Sequence, residues 1–258
     1  MNSTTNDKQN RKKNRIRLWA VLVWLLLWQL GAALLGQEIL LVSPVSVLRR
    51  LQDLIITIPF WKTIGFSTLW IASGFLLGTI SGILLGGLSS RYRRLRELLA
   101  PLVLTVKTIP VASFIILILI WISSRNLSVL ISFLMVFPII YTGVLEGIQN
   151  TDTELLEMAR VFRMPAAKQI QFIYIFQALP FFRASCAVAL GLCWKAGVAA
   201  ELIGIPSGSI GERLYQAKIY LETPDLFAWT VVIILISVLF EKIILLLIDL
   251  SAWLLERT

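Results

Sequence analysis

Histidine is absent from the 258 residues. Neither an imidazole metal site nor a Ser-His or Cys-His nucleophile pair can be built from this chain. Few residues with chemistry to offer remain. Lys195 and Glu201 stand in apolar sequence, where an ionisable side chain is costly and marks either a polar pathway or an internal ion pair. Lys195 facing a water-filled cavity would suit an anionic cargo; its other reading is a structural pair with Glu201 or Glu241. Lys107, near the end of its apolar run, is expected to snorkel to headgroups. Cys186 and Cys193 are seven positions apart, roughly 10 Å on a helix, too far for a disulfide, so both read as packing residues. The last group is a charged and apolar cluster: Glu154, Glu157, Arg160 and Arg163 around Leu155, Met158, Ala159 and Phe162.

The elements that must position these residues are membrane helices. Apolar residues make up 57% of the chain and charged residues 15%, with a mean hydropathy of +0.82. They gather in blocks of about twenty, the length that crosses a bilayer as a helix. The fold class is all-α and polytopic, with six crossings predicted at 18–36, 63–88, 102–122, 128–145, 181–200 and 226–250. Residues 1–17 form a basic tail. The run at 18–36 exceeds the roughly 7 to 15 residues of a cleavable signal core, so it reads as a retained first crossing, with 37–258 as the core. Placing the tail inside puts fifteen Lys and Arg on that side against six on the other, which makes both termini cytoplasmic. The net charge of +9 then reads as topology and attraction to anionic membrane lipids, with no nucleic-acid partner.

Gly74, Gly78, Gly82 and Gly86 recur every four residues, a stripe without side chains that lets a neighbouring helix approach closely. Pro110 and Pro138 are expected to kink their helices around a cavity. Before the second crossing, Leu48, Leu51 and Ile55 suggest a short amphipathic helix at the outer interface.

The inward loop 146–179 is the longest. Thr151 followed by Glu154 is a capping-box pattern, placing a helix start near Asp152. Leu155, Met158, Ala159 and Phe162 then form an apolar stripe of helical period on a segment too short to span. Pro165 stops it and can open a second helix. Such a helix either inserts into a groove on a partner or folds back on the protein's own inner surface.

Glu157-Met158-Ala159-Arg160-Val161-Phe162-Arg163, followed by Ala178-Leu179-Pro180, resembles the EAA loop of ABC-importer permeases of the nitrate, sulfonate and taurine type. The likeness extends from Ser43 onward through Pro44-Val45-Ser46-Val47-Leu48, the basic loop Arg91 to Arg96, Thr108-Ile109-Pro110 and Asp152 to Glu157. It continues through Ala199-Ala200-Glu201-Leu202-Ile203-Gly204, with Gly208 and Gly211 beyond. The resemblance implies a type I importer permease fold in the cell membrane. It also implies a translocation path for a small polar, anionic solute, two copies of a cytoplasmic ABC ATPase, a second permease copy in a homodimer, and an external substrate-binding protein. By the same likeness Glu154, Glu157, Met158, Ala159, Phe162 and Arg163 contact the ATPase and Pro180 fixes the angle at which the fifth crossing starts; Lys195 and Glu201, as ionisable residues within crossings, and Pro110, at its kink, are the candidates for the path. Gly204 to Gly211 would lie near the binding-protein docking face. Met158 stands where the family has alanine, Arg163 where it has glycine, and Phe176 where it has proline. A left-handed turn at Arg163 would cost roughly 1 kcal/mol.

No G-x-x-x-x-G-K-[ST] loop occurs, so the chain is expected to be no enzyme and to hold no cofactor or metal, with ATP and magnesium on the partner ATPase. An ion-coupled secondary transporter using Lys195, Glu201, Glu241 and Lys242 is the alternative; no internal repeat between the halves supports it. A membrane-embedded enzyme would need a polar cluster that is not visible.

Overall fold

Long apolar runs with few interior charges favour helices, because a backbone out of water must satisfy its own polar groups. The computed structural model describes residues 18–37 and 39–256. The tail 1–17 and Arg257 lie outside the described residues. The helices are α1 (Leu18–Leu35), α2 (Pro44–Ile55), α3 (Ile58–Arg91), α4 (Arg93–Thr108), α5 (Val111–Ile118), α6 (Ser124–Gln149), α7 (Thr153–Val161), α8 (Ala166–Gly204), α9 (Ile210–Ile219) and α10 (Thr223–Glu256). Among the described residues α3, α6, α8 and α10 are long and apolar enough to cross a membrane, and α4 with α5 makes a fifth if the pair is one crossing. The described part of α1 is a shorter apolar helix.

Two expected crossings differ from the observed helices. The third is not one rod: α4 and α5 meet at 105°. Ile109 is extended (φ −69°, ψ 131°) ahead of Pro110, as the proline ring demands of its predecessor, and Pro110 has no N–H with which to continue the ladder. The fifth does not begin near Phe181. It is the C-terminal half of α8, a helix of 39 residues that starts at Ala166 and passes through one π turn, Ile170–Tyr174. Pro180 therefore lies well inside a helix and not at its start.

The core is a sandwich of α3, α6 and α8. The glycine stripe of α3 lies on α6, running the same way: Gly74 meets Ser132, Gly78 meets Val136, Gly82 meets Ile140 and Gly86 meets Val144. A Cβ on Gly82 would stand 2.9 Å from Ile140, so the approach requires glycine. From the other side α6 offers Gly143 and Gly147 to Ser185 and Ala178 of α8, which runs antiparallel. Ile71, Val136, Ile140, Leu190 and Trp194 fill the centre. Pro138 is accommodated inside α6, where Thr142 Oγ1 donates to the Pro138 carbonyl.

This packing sorts the ends. The basic loop after α3, the α7 turn and the end of α10 share one end of the bundle; α2 and α9 share the other. α2 is capped by Ser43, whose Oγ accepts from Ser46 N at 3.1 Å. It rests on α10 through Val47, Leu51 and Leu54, and of the expected stripe Leu48 and Ile55 stay exposed. Arg50 and Asp225 close this contact as a two-pronged pair, with Nη2 donating to Oδ2 at 2.9 Å.

Candidate functional site

At the α7 end the chain leaves α6 through a short turn. The sequence pattern puts the helix cap at Thr151; the cap is Asp152, whose Oδ1 accepts from Glu154 N at 2.9 Å. Thr151 is buried and its hydroxyl turns back to the Gly147 carbonyl. The negative cap and Glu154 complement the helix N-terminus, as Arg160 does the C-terminus. Glu154, Glu157, Arg160 and Arg163 are all exposed.

The apolar stripe divides. Ala159 is 1% exposed, packed into the protein's own body, whereas Met158 is 47%, Phe162 74% and Val161 79% exposed. Ala159 is thus corrected from a partner contact to the residue that seats the helix. Val161 joins the exposed patch, three positions from Met158 on the same helical face. Its signal was legible in that spacing. The turn after α7 is a Schellman motif: Arg163 N donates to Arg160 O at 3.0 Å and Met164 N to Ala159 O at 2.9 Å. Arg163 is left-handed, φ 47°. Gln169 Nε2 ties the turn to α8 through the Met164 carbonyl at 2.8 Å.

Lys195 is exposed on α8. Among the described residues the ion pairs are Arg50–Asp225, Arg93–Glu97 and Arg183–Asp249. Neither Glu201 nor Glu241 pairs with Lys195, and the structural-pair reading is not realised. Six positions on a helix place Glu201 about 120° round from Lys195. Lys107 is exposed and donates to Thr142 Oγ1 of α6 at 2.8 Å. Pro110 is exposed at the start of α5.

Glu201 is 0% exposed. Its Oε2 accepts from Ser67 Oγ of α3 at 2.7 Å and from Gly211 N of α9 at 3.3 Å. Ser67 Oγ accepts from Ile210 N at 2.9 Å. Around this knot Gly208 is left-handed (φ 82°), Ser209 Oγ accepts from Glu212 N at 3.0 Å, and Glu212 Oε2 accepts from Gly208 N at 2.6 Å. A Cβ on Gly211 would sit 2.5 Å from the Glu201 Cβ. Ser67 was not singled out by sequence; a serine in an apolar helix carries no signal of its partner. A groove of about 840 Å³ lined by Trp70, Ile80, Trp121, Asn126 and Phe133 runs along α3 and α6, without Lys195 or Glu201 on its walls. Among the described residues no cluster of three Cys, Asp or Glu is arranged to hold a metal.

Residues 74–253 match the family model described as binding-protein-dependent transport system inner membrane component. A protein named as an aliphatic sulfonates transport permease, SsuC of Bacillus subtilis, is 28% identical over 94% of this chain and 91% of its own length. The nitrate import permease NrtB of Synechococcus elongatus is 29% identical over 76% of this chain and 73% of its own. The formylaminopyrimidine transport permease ThiX of Halalkalibacterium halodurans is 25% identical over 84% and 87%. In three dimensions the chain is similar to a crystal structure of an amino acid ABC transporter with histidines, at TM-score 0.50 and 17% identity, over 74% of this chain and 89% of that one.

Proposed function

The chain belongs to the binding-protein-dependent transport system inner membrane components, the permeases of ABC importers of the sulfonate and nitrate type, and from that premise we propose that it carries a small anionic solute driven through α7 by a partner ATPase. Family membership places it in the membrane as a multi-pass subunit, with ATP hydrolysis belonging to a partner. The observation that carries the coupling role is α7 itself. It is a capped helix seated by buried Ala159 that presents Met158, Val161 and Phe162 between exposed charges. An apolar ridge with a charged rim suits a groove on a second protein. Two ATPase copies, a homodimer of permeases and an external binding protein complete the assembly. Six crossings, with α1 first and the bent α4–α5 pair third, put the start of α1 and the end of α10 on the cytoplasmic side, in keeping with the Lys and Arg bias.

The anionic cargo is supported by exposed Lys195 and by two of the three relatives' names; ThiX is named for a formylaminopyrimidine. The secondary-transport alternative is not favoured, since the family is that of importer permeases and Lys195 pairs with neither Glu201 nor Glu241. Detergent pull-down of the partner ATPase tests the docking role. Glu157→Lys and Phe162→Asp should each weaken capture by roughly tenfold or more, as truncating a central contact does. Unchanged capture by both would refute it.

A further inference from the structure

The knot at Glu201 lies at the end of the bundle opposite α7, yet on the helix that α7 feeds. α8 runs unbroken through 39 residues, about 58 Å at 1.5 Å per residue. One end is bound to the α7 turn through Gln169 and Met164. The other end holds α3 and α9: Ser67 Oγ and Gly211 N both donate to Glu201 Oε2, and Ile210 N donates to Ser67 Oγ. No Cβ fits between Gly211 and the α8 backbone. Three helices thus share one buried acceptor, and the other oxygen, Oε1, meets no donor among the described residues. A carboxyl buried for packing alone would be replaceable by a hydrocarbon at no loss, because the cost of burying it is repaid only by what it ties together.

We propose that Glu201 is a positioning residue that makes α9 move with α8, so that displacement of α7 reaches the far face of the membrane through one rod. It does not line the path and binds no cargo. The first turn of α9 is held by backbone donors, so the latch needs an acceptor at Glu201 and not its charge.

This rests on the importer reading, and the experiment separates the two. The chain, its partner ATPase and its binding protein are reconstituted in liposomes, and solute uptake and ATP hydrolysis are measured together. If the wild-type complex shows no uptake dependent on ATP and the binding protein, the importer reading fails and the latch is refuted with it. Given that uptake, Glu201→Leu should lower solute moved per ATP by roughly tenfold, with complex assembly and hydrolysis retained. Glu201→Gln should restore uptake to within about twofold of wild type, because its amide oxygen accepts the same bonds. Full coupling in Glu201→Leu, or loss in Glu201→Gln as deep as in Glu201→Leu, overturns the latch.

Should Glu201→Leu fail to assemble, spin labels at Leu202 and Lys218, both exposed, report the α8–α9 distance; Cys186 and Cys193 are buried. In an otherwise wild-type complex the distance should stay fixed between nucleotide-free and ATP-bound states, and in Ser67→Ala it should become variable. A change above about 5 Å without the Ser67 substitution, on the scale of a one-turn ratchet, or a fixed distance in Ser67→Ala, overturns the proposal.

Discussion

Arg163 occupies a left-handed backbone position in which an L side chain crowds the following carbonyl, at a cost of roughly 1 kcal/mol relative to glycine. Arg163→Gly should therefore raise stability in detergent by about that amount, seen as a higher Tm. Nothing in an arginine announces a positive φ; only the family pattern, with glycine at that place, carried the hint. Lys195 was legible as a lone charge in apolar sequence, but that it pairs with neither Glu201 nor Glu241 was not. Lys195→Met should raise the apparent KM for an anionic solute several-fold with little change in folding. An unchanged KM would remove it from the path. Arg50 is held above its ordinary pKa mainly by its hydrogen bond to Asp225, with burial opposing. A raised base loses its contribution only as pH climbs past its folded value, so titration of Arg50 leaves the α2–α10 clasp intact throughout the neutral range.

Between helices, the determinants are shape and the placement of proline. Gly82→Ala should destabilise the bundle by about 1 to 3 kcal/mol, since the new methyl would overlap Ile140 in a filled interface. Gly87, one position beyond the stripe, has nothing within 4 Å of a built Cβ. Gly87→Ala should be neutral or stabilising by roughly 0.5 to 1 kcal/mol through helix propensity. Thermal unfolding of the two variants checks the contrast, and equal effects would contradict the assigned interface. The four-residue spacing made the stripe readable in the sequence; which helix fills it was not, because α6 becomes the neighbour only through tertiary packing. Prolines behaved differently by context. Pro110 ends one helix and opens another at a right-angled break, whereas Pro101, Pro138 and Pro180 sit inside continuous helices. A missing N–H is visible in the sequence, but whether neighbouring carbonyls and hydroxyls absorb it depends on the packed surroundings.

Across the whole molecule, hydropathy marked the membrane class and the ordered motifs the family, while the buried polar contacts that join three helices at one end of the bundle could not be read from it. Ser67, Glu201 and Gly211 are an instance, since none is periodic with another. The central claim is that transport draws its energy from ATP through α7 and not from an ion gradient through Lys195 or Glu241. The most direct measurement is solute uptake into proteoliposomes that hold the chain with and without its ATPase, under an imposed ion gradient and with the binding protein outside. The account predicts uptake only when ATPase and ATP are both present, with Phe162→Asp abolishing it. Uptake by the chain alone, driven by the gradient, would contradict it.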